Sequence, residues 1–328
     1  MDSTRPIEIP RVLSIQSHVV SGYCGNKSAV FPLQLLGFEV DFINSVQFSN
    51  HTGYPFFKGQ ILEDLELEQL FDGLRLNNLQ NQYSHLLTGY ARSPSFLRIV
   101  KTIVQEIKQS PEKPIYLCDP VLGDDHKLYV PEELIGIYKE IIPMADIICL
   151  NAFEAELLSG VPVCDESSAL SAIEKLHRLG PKTVIITSID IPEHRLMLIG
   201  SSYSKYPSNQ EKAEIYKFEL PKIEARFTGT GDLFASLFLA WFTKTNFNLR
   251  IALERVISSM QSIINSTYEF ALLKPQGLDS AFNRELRIIS CRDRISEPLA
   301  IERFESIKVV KLNEIFSNQI IEIKSNRC

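Results

Sequence analysis

The chain reads as an α/β domain in three layers, with helices on both faces of a mostly parallel central sheet. Three observations predict this. Short apolar runs and amphipathic stretches alternate at least six times along the 328 residues, the pattern that successive βα units impose. The runs at 113–120 (KPIYLCDP) and 145–151 (ADIICLN) are almost continuously apolar, as strands covered on both faces must be. Polar clusters follow the runs: Ser17, the Asn50-His51-Thr52 loop, Tyr90, Asp119, Asn151, Thr187-Ser188 and Asp232. In such sheets ligands sit outside the carboxyl ends of the strands, so one composite site is expected there.

Taken in order, residues 1–10 carry two prolines and little apolar content, and read as a flexible tail. The domain is placed at 11–301. A strand at 11–16 (RVLSIQ) leads into a loop marked by Gly22 and Gly25, then a helix at 27–36 closed by Gly37. Gly25-Asn26-Lys27-Ser28 resembles the end of a phosphate loop, but the G-x-x-x-x-G-K-[ST] spacing is absent and that reading is rejected. A strand at 39–46 is followed by QFSNHTGY (47–54), a polar loop with aromatic edges suited to a small ring. Helical periodicity marks 63–77, a strand 85–90, and a helix 94–108 with Pro94 in its first turn. Helices are expected at 132–142, 153–159 and 167–179, and a strand at 182–188 (KTVIITS).

From 195 to 221 the pattern changes. RLMLIGSSYS and EIYKFELP alternate as antiparallel strands do, joined by a polar connection. A helix follows the turn at 229–232, another spans 249–271, and helical patterning resumes at 279–289. Residues 295–328 mix charged and apolar side chains with no evident partner, and 302–328 is set apart as a C-terminal extension.

Composition narrows the function. With 45% hydrophobic and 23% charged residues the chain can bury a full core. A net charge of −6 and the lack of a basic cluster argue against a nucleic-acid partner. No apolar run approaches the roughly 20 residues of a membrane span. The opening MDSTRPIEIP lacks the apolar core of a signal peptide, so a cytoplasmic protein is expected. The six cysteines include no C-x-x-C pair and the six histidines no H-E-x-x-H, which disfavours a disulfide framework or a transition-metal site.

The stretch with most chemical content is 226–241, RFTGTGDLFASLFLAW. Gly229 and Gly231 flank Thr230, Asp232 follows, and an apolar helix begins. Glycines let the backbone approach a ligand closely, and the first-turn amides have no partners inside the helix. With the helix dipole behind them they form an anion site suited to a phosphoryl group. An aspartate here is most often an N-cap; its functional reading is a base that takes the proton of an attacking alcohol. Transfer from ATP also needs a metal to offset the polyphosphate charge. Asp119, Asp124 and Glu154 supply carboxylates for it, and Asn151 an amide oxygen, on neighbouring strand ends.

The segments SIQSHVVSGYCGN, NSVQFSNHTGY, LLTGY, CDPVLGD, FEAELLSG, VIITS and FTGTGDLFA resemble those of the pyridoxal kinases, within the ribokinase-like superfamily. They occur in the family's order from Arg11 to about Ile301. The Gly-Thr-Gly-Asp turn is common to the superfamily, whereas QFSNHTGY and SIQSHV are more specific. The resemblance implies ATP-dependent phosphorylation of the 5′-hydroxymethyl group of pyridoxal, pyridoxine and pyridoxamine. It implies Asp232 as the base, with Gly229, Thr230 and Gly231 at the phosphates. Ser17 and Thr52 match residues that hold the pyridine ring, between walls of Val46, Phe48 and Tyr90. Asp119, Asn151, Glu154, Thr187 and Ser188 match nucleotide and metal contacts. Ile223, Glu224 and Ala225 fall where the adenine is enclosed, and Tyr129 in the loop that folds over ATP. The cofactors implied are Mg2+ or another divalent cation and, with less support from this chain, K+ or Na+; the implied assembly is a homodimer.

Three departures bear on the details. Cys149-Leu150 replaces a Thr-Pro common among relatives, which removes a monovalent-cation ligand or passes its role to a backbone carbonyl. The loop at 123–131 is shorter than in animal relatives. The extension beyond Ile301 is unusual. The rival readings are a hydroxymethylpyrimidine or sugar kinase of the same superfamily, and a non-catalytic carrier of the vitamin.

Overall fold

The computed structural model describes residues 9–203 and 213–312. Its strands are β1 (Arg11–Val19), β2 (Glu39–Phe48), β3 (Gly59–Ile61), β4 (His85–Thr88), β5 (Ile115–Cys118), β6 (Gly123–Asp124), β7 (Lys127–Leu128), β8 (Ile147–Asn151), β9 (Thr183–Ile191), β10 (Arg195–Tyr203), β11 (Ala213–Pro221) and β12 (Lys308–Leu312). All but β6 and β7 join one sheet in the order β12-β11-β10-β9-β8-β5-β4-β1-β2-β3. From β9 through β2 the pairings are parallel. Antiparallel strands close both edges. The chain steps from β1 outward to β2, then returns past β1 to β4, so a topological switch point lies between β1 and β4.

Helices α1 (Asn26–Leu35), α2 (Asp64–Leu76), α3 (Pro94–Lys108), α4 (Glu133–Ile141), α5 (Ala152–Ser159), α6 (Glu166–Arg178), α7 (Thr230–Lys244), α8 (Leu249–Leu272) and α9 (Arg292–Ser296) cover the sheet. Two apolar clusters mark its faces. One gathers side chains of α2 through α6, the other those of α1, α7 and α8. This is the expected three-layer α/β sandwich. The interior of α7 is buried from Leu233 to Phe242, with Phe234, Phe238 and Phe242 stacked along it. A helix apolar all round has to be enclosed on all sides.

Two irregularities in the sheet fall at predicted site residues. On β2, Ser45 and Val46 both lie opposite Ser17 of β1. On β9, Thr187 and Ser188 both lie opposite Leu198 of β10, and Ser188 takes the left-handed conformation at φ 62°. An extra residue in one strand breaks the ladder and re-aims neighbouring side chains, a device common beside active sites.

The sequence reading differs from the structure in three places. Residues 279–289 are not an α-helix; they contain only short 3-10 turns at Gly277–Asp279 and Phe282–Arg284. Asn283 turns its amide back onto the carbonyls of Pro275 and Gly277, and Leu286 and Ile288 enter the core two residues apart, as extended chain does. The strand β3 escaped notice because it is three residues long and mostly exposed. Of the extension, 308–312 forms β12 on the edge of the sheet beside β11. The polar connection at 204–212, the segment at 1–8 and residues 313–328 of the extension lie outside the described residues.

Candidate active site

Asp232 occupies the first turn of α7 and is half-buried. Gly229, the residue before the helix, is left-handed at φ 83°, and a Cβ there would run into the carbonyl oxygen of Tyr23. Ser28 fixes the same turn by donating its hydroxyl to the Gly229 carbonyl at 3.1 Å. The Gly25 amide donates to Asp232 Oδ2 at 2.7 Å. Gly25 in turn presses on Ser17, whose carbonyl oxygen a Cβ at 25 would strike. The turn, Asp232 and Ser17 therefore touch in sequence. Burial pushes the Asp232 carboxyl above its ordinary range, and the Gly25 amide pulls part of that back. Cys24 lies beside both Ser17 and Asp232, and burial raises its thiol so far that it stays protonated.

Asp119, just past β5, and Glu154, in the first turn of α5, form a buried acidic pair. Desolvation, then the charges of Glu154 and Asp232, drive the Asp119 carboxyl well upward. Desolvation likewise raises Glu154, to about 7, against the amides that stabilise its charge. Glu154 is committed to the fold: Oε1 accepts the Leu122 amide at 3.0 Å and Oε2 the Asn151 amide at 3.0 Å. Asn151 completes a reciprocal cap by accepting the Glu154 amide and ties down Gly123 through its side chain at 2.7 Å. No described Lys or Arg pairs with Asp119, Glu154 or Asp232. Among the described residues no group of three or more His, Cys, Asp or Glu side chains could hold a metal. Asp119, Asp124 and Glu154 therefore form no closed cage. One free buried carboxylate, Asp119, beside the Gly229–Gly231 turn fits Mg2+, which keeps waters and substrate oxygens and takes few protein ligands.

At the ring end, Ser17 is half-buried, Val46 buried in β2, and Phe48 half-buried against Phe57 with ring centroids 5.2 Å apart. Tyr90 is half-buried after β4, its carbonyl accepting the Ser45 hydroxyl at 2.9 Å. Thr52 is exposed on its loop, between His51 and Tyr54, whose rings meet edge to face at 4.8 Å.

At the other end a cavity of about 540 Å³ is lined by Asp124, Ser188, Ile223, Glu224 and Ala225, all predicted there, along with Asp190, Lys222, Arg226 and Arg284, which were not. Thr187, adjacent, donates its hydroxyl to the Leu150 carbonyl at 3.2 Å. The hairpin β6–β7 overhangs this end. Its two turn residues, Asp125 and His126, are both left-handed, as a two-residue hairpin turn requires. Asp125 pairs with Arg226, and Tyr129 stands exposed just past β7. Gly231 is uncrowded; the nearest atom to a Cβ there would be Asp119 Oδ2, at 3.9 Å. The sequence offered no signal for Gly25 beyond a loop glycine, and none for Arg226 or Lys222, since isolated surface cations look alike.

A model of the phosphomethylpyrimidine kinase family matches residues 95–272. The chain is 47% identical to the pyridoxal kinase of Homo sapiens over 299 residues, covering 88% of this chain and 96% of that protein. It is 46% identical to the pyridoxal kinase of Arabidopsis thaliana over 304 residues, covering 91% of this chain and 96% of that one. The solved Leishmania donovani pyridoxal kinase in complex with ADP and pyridoxine matches with a TM-score of 0.83 at 37% identity, covering 92% of this chain and 99% of that one. With the Gly229–Asp232 turn, the Ser17 bulge and the Thr52 loop already assembled on one ribokinase-like sheet, the chain belongs to the pyridoxal kinase family.

Proposed function

We propose that the chain transfers the γ-phosphoryl group of ATP to the 5′-hydroxymethyl oxygen of pyridoxal, pyridoxine or pyridoxamine, in vitamin B6 salvage. The observation that carries the chemistry is Asp232, held by the Gly25 amide at 2.7 Å beside first-turn amides that have no helical partner. Asp232 takes the hydroxyl proton as the alcohol oxygen bonds to the γ-phosphorus. The bond to the bridging oxygen breaks and ADP leaves. The amides after Gly229 steady the moving phosphoryl, since donors fixed in advance cost no reorganisation during the reaction. Ser17 and Thr52 address the ring's polar atoms, and each can donate or accept, which suits a ring of variable protonation. Val46, Phe48 and Tyr90 wall the ring. Ile223, Glu224 and Ala225 enclose the adenine, with Thr187, Ser188 and Asn151 toward the phosphates. Tyr129 and the β6–β7 hairpin exclude water.

A bound divalent cation, Mg2+ in this reading, supplies positive charge against the polyphosphate; Asp119 would hold it, with Glu154 fixing the neighbouring loop and Asp124 facing the nucleotide. K+ or Na+, where used, is assigned to backbone carbonyls, since the buried Cys149 thiol is a poor ligand for a hard cation. A cytoplasmic homodimer completes the proposal, and sedimentation of the purified chain tests its assembly.

The related pyridoxal kinase of Leishmania donovani, with ADP and pyridoxine or pyridoxamine in its solved complexes, supports this choice of ligands. The description of the matching family model favours one rival, a hydroxymethylpyrimidine kinase. Coupled ADP release with pyridoxal, hydroxymethylpyrimidine and ribose separates the two. We expect the highest kcat/KM with pyridoxal; a higher value for hydroxymethylpyrimidine reverses the assignment, and no turnover with any of them leaves the carrier reading.

A further inference from the structure

Glu285 is a buried carboxylate with no place in the chemistry described above. It follows the short turn Phe282–Arg284, on a stretch fastened to the core: Leu286 and Ile288 are fully buried, and the Arg287 amide donates to Thr267 of α8 at 3.0 Å. From this fixed base the side chain reaches two loops distant in sequence. Oε2 accepts the Tyr23 amide at 3.0 Å. Oε1 accepts the Tyr54 hydroxyl at 3.1 Å and lies 3.4 Å from His51 Nε2. The carboxylate also lies close over Gly22, where a Cβ would meet it. No Lys or Arg among the described residues forms an ion pair with it.

A buried carboxylate is tolerated when donors satisfy it and is costly when one withdraws. Here the donors come from the loops themselves, so satisfying Glu285 forces both loops into one arrangement. The first, through Tyr23 and Cys24, delivers the Gly25 amide that holds Asp232. The second carries Thr52 between His51 and Tyr54, and is tightened by the Gly53 amide donating to His51 Nδ1 at 3.1 Å.

The geometry points to Glu285 as a positioning residue that sets the Thr52 loop against the Asp232 loop, and so fixes the vitamer's hydroxymethyl group relative to the base. This rests on the proposed roles of Thr52 and Asp232. Glu285 touches no reacting atom. Its effect falls on the vitamer and spares ATP, a selectivity that a residue serving stability alone does not have.

The test compares Glu285→Gln, Tyr54→Phe and the double variant with the unaltered chain, reading KM for pyridoxal and for ATP separately. Glutamine keeps the shape and replaces one acceptor by a donor. The expected result is a rise of about tenfold in KM for pyridoxal with Glu285→Gln, the effect of one hydrogen bond to a charged group, with KM for ATP within about twofold. Tyr54→Phe gives a smaller rise, and the double variant is no worse than Glu285→Gln, because both changes remove the same contact. An unchanged KM for pyridoxal in both single variants overturns the inference. So does an equal rise in both KM values, or a fully additive double variant. Where Glu285→Gln does not fold, Tyr54→Phe decides alone, and an unchanged KM for pyridoxal overturns the inference. If the unaltered chain itself does not turn over pyridoxal, the proposed function fails first; normal turnover with indifferent variants removes only the role of Glu285.

Discussion

The two ends of the proposed site are held by different means. At the vitamer end, Ser17 abuts Gly25, Gly25 holds Asp232, and the loops around them close on a carboxylate whose side chain is 6% exposed, with His51 at 10%. At the nucleotide end the charged lining is open: Arg226 is 76% exposed and Asp190 67%. Such surface pairs contribute little by themselves. On the proposed assignment, the contrast teaches that the ring end is ordered by the protein's own contacts, while the nucleotide end carries exposed charges for the ligand to order. A small neutral ring offers few contacts and needs them fixed; a polyphosphate brings enough charge to organise flexible side chains around itself.

The largest effect belongs where the two ends meet. Asp232→Asn keeps an acceptor for the Gly25 amide but removes the base, and kcat should fall by about 10²- to 10⁴-fold. Because that carboxyl is raised by burial and adds to the repulsion on Asp119, the neutral amide should leave Tm unchanged or higher. Calorimetry beside steady-state kinetics checks both halves. A variant with near-normal kcat removes Asp232 from the reaction.

The paired glycines divide the turn in the same way. Gly229→Ala imposes a Cβ at φ 83° against the Tyr23 carbonyl, so it should destabilise by about 1–3 kcal/mol and disturb the vitamer end as well. Gly231→Ala meets only an ordinary contact with Asp119 at 3.9 Å and should fold normally. In the proposed function it faces the phosphates, and its effect should appear as a raised KM for ATP. Equal Tm values for the two variants would contradict the packing described here.

How far the sequence revealed this site depends on how local each part is. The Gly229–Asp232 turn, the strand ends and the antiparallel pair at 195–221 are local patterns, and they were legible. Strand β12 was not, because its partner β11 lies some ninety residues earlier and a short, half-exposed strand has little periodicity of its own. Leu286 and Ile288 looked helical beside their neighbours, but both are fully buried at a spacing of two, which one helix face does not provide. For the metal set, the sequence shows the residues but not what else they hold. Asp119, Asp124 and Glu154 each follow a strand, yet Glu154 spends both oxygens on backbone amides and Asp124 sits on an exposed hairpin. Glu285 had no motif at all; its importance arises only when two loops fold onto it.

At the nucleotide end the expected effects are milder. Arg226→Ala removes the partner of Asp125 on the overhanging hairpin. KM for ATP should rise a few-fold, less so at high salt where exposed charges are screened, with KM for pyridoxal unchanged. A matching rise in KM for pyridoxal would mean that the two ends are coupled through the hairpin.

The acidic pair between the ends gives the subtlest prediction. Glu154, raised by desolvation from 4.5 to about 7, binds its proton more tightly in the folded chain than in the unfolded one. Its contribution to stability is therefore fully present below about pH 4.5 and is lost as pH rises through about 7, the reverse of an ordinary salt-bridged carboxylate. Asp119, also raised well above its ordinary range by desolvation and by the charges of Glu154 and Asp232, contributes in the same direction. The ligand-free chain should accordingly show a Tm that declines from about pH 5 to about pH 8. Asp119→Asn should flatten the decline, since it deletes one buried charge and relieves the other. A cation bound at Asp119 stabilises the ionised form, so Mg2+ with ADP should raise Tm more at the upper pH than at the lower. A ligand-free Tm that does not decline over this range would mean that both carboxylates are already ionised, and that the charge Mg2+ would answer is balanced within the protein.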